Sequence, residues 1–185
     1  MSPMEQQKII GIAAEMIRRG ARVPVVEAML PIKHQLADSL YRELTGEASK
    51  TGPLPSNHLW YISTLYPMRI VQSSLFVGYF KAVKLRSTNS MEAEILNAAY
   101  DLYLDHCTAI GAEPLITFCR AWHLLRELRI KNLTMAKCTC CAGEFVFDNA
   151  RLHTQYQCPL CNRSSSLSAG RYRRRDAESA SSIAA

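Results

Sequence analysis

Residues 137–163, KCTCCAGEFVFDNARLHTQYQCPLCNR, decide what kind of protein this chain makes. Cys138 and Cys141 form one C-x2-C pair, sixteen residues follow, and Cys158 and Cys161 form a second. That spacing is a structural zinc pattern, because four thiolates close a tetrahedron around Zn²⁺ at about 2.3 Å. A two-residue gap lets a tight turn aim both sulfurs at one point, and such a turn wants small residues after it. Ala142 and Gly143 stand there. Between the pairs, residues 144–147 and 153–156 are short, aromatic and β-prone, and Asp148, Asn149 and Ala150 between them read as a turn. The expectation is a small zinc ribbon with Cys138, Cys141, Cys158 and Cys161 as ligands of one structural Zn²⁺ per chain.

Cys140 lies inside the first pair and competes with either neighbour as a ligand; a one-residue gap makes the poorer two-thiolate turn, which favours Cys138 with Cys141. Disulfides are the alternative use of these cysteines. Against them, Cys107 and Cys119 sit in helical, apolar runs as reduced cysteines do, and the total of seven is odd. Four thiolates fill the coordination shell, so the site reads as structural, and His153 reads as a surface residue of the ribbon rather than a ligand. Binding energies of about 10–16 kcal/mol for such sites exceed what a thirty-residue segment gains from its own core, so metal removal should unfold it.

N-terminal to the cysteines the patterning is helical. Ile9, Ile10, Ala13, Met16 and Ile17 recur at three- and four-residue steps and Gly20 ends the run. Residues 23–30 form a short helix that Pro31 cannot continue, and residues 35–44 begin another. That outline near residues 23–45, with Lys33, His34, Gln35, Asp38, Ser39 and Arg42 on its second part, fits a helix-turn-helix in which Lys33 and Gln35 reach DNA; an ordinary antiparallel helix pair has the same outline. Residues 47–57 are a Gly/Pro/Ser-rich loop. Leu59, Trp60, Ile62 and Leu65 continue as a helical run up to Pro67, and residues 68–85 make a helix whose apolar surface is wider than one stripe, so it is buried on two sides or joins a partner. Asn89 with Glu92 suggests the start of the next helix, to about Ala109. Pro114 suits the first turn of a last helix that buries Leu115, Phe118, Trp122, Leu125 and Leu128 and turns Arg120, Arg126, Glu127 and Arg129 outward.

The expected architecture is mainly α: a multi-helix domain over residues 1–132, a four-cysteine zinc-ribbon-like module over 133–163, and a flexible arginine-rich tail over 164–185. In 185 residues, 48% hydrophobic and 21% charged content are those of a globular protein. The chain has no apolar run long enough to span a bilayer and no secretory signal, which points to the cytoplasm without membrane association. Cys–His neighbours such as His106 with Cys107 invite a catalytic reading, but adjacent residues on a helix point apart and core packing accounts for them better. No phosphate loop or nucleophile elbow is present, so an enzyme has no residue to rest on.

Net charge is +6, and the tail concentrates it: Arg163, Arg171, Arg173, Arg174 and Arg175 outnumber Asp176 and Glu178. Guanidinium groups pair bidentately with phosphates, and Tyr172 stands among them to stack. Placed directly after a zinc ribbon, these arginines are candidate DNA contacts. A solubilising tail is the plainer use of the same residues.

Taken together, MIRRGARVPVVEAML, LYRELTGEASKTGPLP, AAYDLYLDHC, LITFCRAWHLLRELR, CTCCAGEFV and QCPLCNR resemble the FlhC family, the C subunits of the bacterial flagellar master transcriptional activator. The resemblance covers nearly the whole chain. It implies a mostly helical, zinc-binding protein that joins a D-type (FlhD) subunit in a hetero-oligomer, binds promoter DNA and recruits RNA polymerase to flagellar genes. It also implies Cys138, Cys141, Cys158 and Cys161 as the zinc ligands. The competing classes are a zinc-stabilised protein–protein adaptor that never touches DNA and a redox or metal sensor that uses Cys140.

Overall fold

The computed structural model describes residues 2–150 and 157–162. Among them are six α-helices followed by one antiparallel hairpin, so the chain is mainly helical with a small cysteine-bearing C-terminal element. The arginine tail, Arg163 included, and His153 in the second β-prone stretch lie outside the described residues.

Helix α1 (Pro3–Arg18) begins with a reciprocal cap: the Ser2 hydroxyl accepts the Glu5 N–H at 3.2 Å, and the Glu5 carboxylate accepts the Ser2 N–H at 3.3 Å. It buries Ile9, Ile12, Ala13, Met16 and Ile17. Gly20, at φ 90°, closes it by sending its N–H to the Ile17 carbonyl while Ala21 reaches Met16; a residue with a Cβ is strained in that left-handed geometry. Helix α2 (Val23–Met29) follows, then a turn through Pro31, then α3 (His34–Thr45). Both bury a face against α1, with Val23, Val25, Val26, Ala37 and Tyr41 inside. Arg19 braces α1 against the later helices through a two-toothed pairing with Asp101 at 2.7 and 2.6 Å.

The expected helix over 58–66 is shorter: a 3-10 turn spans His58–Ile62, and Ser63 to Tyr66 are not helical. Tyr61 is drawn wholly inside, where its hydroxyl lies 2.9 Å from the Arg120 carbonyl and 2.8 Å from His123 Nδ1. Helix α4 (Pro67–Arg86) is the longest and is buried on two sides, as its wide apolar surface requires. Phe76, Val77 and Phe80 enter the main core beside α5 (Glu92–Ala109), with Phe76 edge-on to Tyr103 at 6.2 Å. Ile70 turns instead to the cysteines.

Helix α5 starts later than Asn89. Met91 is its cap residue, and the Glu94 carboxylate, not Glu92, accepts the cap N–H at 2.7 Å. The last helix, α6 (Phe118–Arg129), also starts later, capped by Thr117, and Pro114 lies in an extended segment before it. The reason is buried Gln72 on α4. Its amide oxygen accepts the Leu115 N–H at 2.8 Å and the Tyr103 hydroxyl, and its amide nitrogen donates to the Glu113 carbonyl at 2.9 Å. The bond to the Glu113 carbonyl takes the acceptor that a first helical turn beginning at Pro114 would use.

The face assigned to α6 is corrected: Phe118 is buried as expected, but Trp122, Leu125 and Leu128 are only half-buried, and Cys119, Ala121, His123 and Leu124 take the innermost positions. Glu127 is buried, not outward: it takes His123 Nε2 at 3.1 Å on one oxygen and the Asn132 amide at 2.8 Å on the other. A carboxylate tolerates burial when hydrogen-bonded in this way. After α6, Lys131 takes φ 63° and turns the chain into β1 (Leu133–Lys137), which pairs with β2 (Glu144–Asp148) in the register Leu133 to Asp148 and Lys137 to Glu144.

Candidate metal centre

The hairpin presents its cysteines at the turn. Of the two strands expected on either side of Asp148–Ala150, the first forms as β2 and the second lies outside the described residues; among those described, β2 pairs with β1 across the first cysteine pair. That pair is therefore the hairpin's own loop. Cys138 N–H bonds to the Gly143 carbonyl at 2.9 Å, Ala142 N–H bonds back to Cys138 at 2.9 Å, and Ala142 sits at φ 57°. A Cβ on Gly143 would come to 3.3 Å from Cys141 Sγ, so a small residue is what that position accepts most easily. The turn at Asp148, Asn149 and Ala150 forms as expected, with the Asp148 side chain accepting the Ala150 N–H at 2.9 Å. The second pair is a turn of the same kind, in which Cys161 and Asn162 N–H groups both point at the Cys158 carbonyl at 3.0 Å.

The two turns bring Cys138, Cys141, Cys158 and Cys161 together with all four sulfurs within 4.8 Å of one another. Cys141 Sγ and Cys158 Sγ are 3.8 Å apart. A tetrahedron with metal–sulfur bonds of about 2.3 Å has edges of roughly 3.8 Å, so a four-coordinate ion fits with little rearrangement. Cys140 is exposed and is not in the cluster.

Electrostatics differ among the four. Cys138 is covered and receives backbone N–H groups from Cys158 at 3.3 Å and Cys140 at 3.4 Å. The Cys158 and Cys141 N–H groups are the main causes that hold its thiol down to about 6, since hydrogen bonds to sulfur favour the thiolate. Burial pushes the Cys158 thiol up, and Cys161 is raised chiefly by the neighbouring Cys141 and Cys140 side chains. Ligation by a cation needs these thiols as thiolates, so binding releases their protons. Four sulfurs leave no open position for substrate, which is the arrangement of a structural centre.

The cluster is seated on the helical core. Ile70 of α4 packs against Cys138, Phe145 and Cys158. The Ser74 hydroxyl accepts the Val146 N–H at 2.9 Å and donates to the Ile70 carbonyl at 2.6 Å. Lys81 meets Glu144 at 2.6 Å, and this pair holds the Glu144 carboxyl below its ordinary range. Asn149 N–H bonds the Asn132 carbonyl at 3.1 Å. Ser74 was missed in the sequence because nothing local marks it; its partner lies 72 residues away. Of the other candidate residues, Lys33 and Gln35 are exposed at the start of α3, while Arg163, Arg171, Arg173, Arg174 and Arg175 lie outside the described residues.

Cys107, Cys119 and His123 are buried. Cys119 Sγ contacts the Gly20 carbonyl at 3.5 Å, and His106 Nδ1 lies 2.9 Å from the Tyr79 hydroxyl. These are packing contacts within the helical part. No described helix is long and apolar enough to cross a membrane.

Fold and cluster together define a helical protein carrying a closed four-thiol, metal-competent knuckle on its longest helix. Comparison narrows the class. Residues 1–176 match the family model described as flagellar transcriptional activator (FlhC). The flagellar transcriptional regulator FlhC of Cupriavidus metallidurans is 34% identical over 81% of this chain and 68% of its own length. The proteins of the same name from Gallionella capsiferriformans and Proteus mirabilis are 33% and 30% identical, over 83% and 86% of this chain and 82% and 81% of their own. The chain belongs to the FlhC family of flagellar transcriptional activators, a class of regulators rather than of enzymes.

Proposed function

We propose that the chain is a zinc-stabilised, DNA-binding subunit of a cytoplasmic transcription activator, working with a D-type subunit at flagellar promoters and presenting the assembly to RNA polymerase. The observation that carries this reading is the four-sulfur cluster, held within 4.8 Å, in a chain of the flagellar activator family. Cys138, Cys141, Cys158 and Cys161 hold one Zn²⁺, whose chemistry here is cohesive: it ties the second cysteine turn to the hairpin and so fixes where the chain leaves toward its arginines. An N/O-preferring cation is disfavoured by an all-sulfur shell.

DNA is held by Arg163, Arg171, Arg173, Arg174 and Arg175, with Lys33 and Gln35 at the exposed start of α3 as the second point of contact. The excess of arginines over acids after Asn162 supports the first, and the helix–turn–helix outline of α2 and α3 supports the second. Phosphate neutralisation sets the salt response, about 0.9 in the log–log slope per contact.

The test is a mobility-shift titration of promoter DNA with the chain alone, with the D-type subunit, and with a chain ending at Asn162. Binding by the assembly, weakened and less salt-dependent on truncation, is the expected result. An assembly that forms and retains zinc but never shifts DNA refutes DNA binding and leaves a protein–protein adaptor.

A further inference from the structure

Between Glu47 and Glu92 the sequence contains no aspartate or glutamate, yet it carries Lys50, Arg69, Lys81, Lys84 and Arg86. In the middle of this stretch, where the 3-10 turn passes into α4, four large apolar side chains face out: Leu59 is 48% exposed, Leu65 83%, Tyr66 55% and Met68 47%. Trp60 sits among them within stacking distance of two guanidinium groups. Arg120 lies 3.9 Å and Arg69 4.6 Å from its ring centre, and Arg69 is also 4.1 Å from that of Tyr66. Among the described residues neither arginine forms an ion pair with a carboxylate.

Stacking on a ring uses the face of a guanidinium and leaves its N–H edge for an anion. A contiguous exposed apolar patch marks an interaction site, and Trp, Tyr, Arg and Met are the residue types over-represented at protein interfaces, with Trp, Tyr and Arg dominating their energetics. A phosphate backbone would engage the arginines but offers nothing to Leu59, Leu65 and Met68. Charge and apolarity together therefore specify an occupant that is both acidic and greasy.

We propose that Trp60, with Arg69 and Arg120 stacked on it and Leu65 and Met68 beside it, is the docking surface for an acidic, apolar segment of a partner protein. The segment's acidic side chains pair with the arginines and its apolar side chains cover the leucine and methionine. The proposal rests on the reading above, in which that partner is the D-type subunit. Ile70, the next residue after Arg69, packs on the cysteine cluster.

The test titrates purified D-type subunit into the full-length chain by calorimetry, for wild type, Leu65→Asp, Arg69→Glu and Arg69→Gln. Each substitution should weaken binding roughly tenfold or more, with Arg69→Gln the mildest, while thermal melting and bound metal stay at wild-type values. Leu65 is exposed enough that its replacement leaves the fold intact, which keeps the experiment decisive if an Arg69 variant melts early. Wild-type affinity in all variants overturns the proposal. So does unchanged subunit affinity with weakened promoter binding, which would assign the patch to nucleic acid. A wild-type chain with no affinity for the D-type subunit fails at the parent reading instead, and is recognised by there being no affinity to lose.

Discussion

Ser73 and Ser74 are adjacent on α4, and replacing each by alanine should have opposite effects. Ser74 accepts the Val146 N–H at 2.9 Å, and Val146 is fully covered by the hairpin and α4, so alanine leaves a backbone donor with neither protein nor water to bond. A buried donor orphaned in this way costs about 1–3 kcal/mol. Alanine returns a few tenths of that through its better helix propensity, for a net loss of about 1–2.5 kcal/mol. Ser73 is sealed as well, but among the described residues its hydroxyl has no partner. Alanine there removes an unsatisfied polar atom and should be neutral or stabilise by up to about 1 kcal/mol. The Ser74 loss falls on the junction between α4 and the hairpin that carries the cysteines. If hairpin docking and metal binding are one equilibrium, zinc affinity should drop about 5- to 70-fold in Ser74→Ala and not at all in Ser73→Ala. Competition against a chromophoric chelator reads the affinity, and urea melts followed by circular dichroism read the stability. The reasoning is refuted if the two variants agree within about 0.5 kcal/mol and bind zinc alike.

The cysteine geometry separates neighbours equally sharply. Cys141→Ser should lose stoichiometric zinc by mass spectrometry or atomic absorption, whereas Cys140→Ser should keep it, because only Cys141 stands among the four clustered sulfurs. Glu127→Ala should cost about 2–3 kcal/mol in urea melts at pH 7.5, since it strips the buried His123 of its Nε2 acceptor and the Asn132 amide of its partner. Glu127→Gln should cost about half as much, because one acceptor oxygen remains. Burial is the main cause that holds His123 below its ordinary range. The unfolded chain therefore takes up this proton before the folded one does. Its contribution is fully present above about pH 6.5 and lost as pH falls toward the depressed folded value. His123→Gln should flatten that part of a stability–pH curve measured on the helical signal.

How much of this was legible beforehand follows from the range of each interaction. The helix periods around α1, the break at Gly20, the short helix stopped by Pro31 and the paired cysteines are local patterns, written within a turn or two of chain. They were readable for that reason. The starts of α5 and α6 were placed too early: Asn89 is a good local signal that lost to a neighbouring cap, Met91 with Glu94, and Pro114 is one that lost to distant Gln72, which occupies the backbone before α6. Glu127 was assigned to the surface by its charge, and only the meeting of α6 with His123 and Asn132 makes burial tolerable. Strand β1 was not anticipated, since Leu133, Thr134, Met135, Ala136 and Lys137 carry little β signal of their own; pairing with β2 across the cysteine loop supplies it.

By itself, then, the sequence determined the helical class, the four thiols and their spacing, because a four-cysteine knuckle needs little more than two turns and the right atoms. Only the tertiary structure decided where that knuckle sits, through Ile70, Ser74 and Lys81 on α4, and which arginines come to lie over Trp60. Those arrangements join residues dozens of positions apart, and their energies come from burial and hydrogen bonds that exist only once the chain has packed.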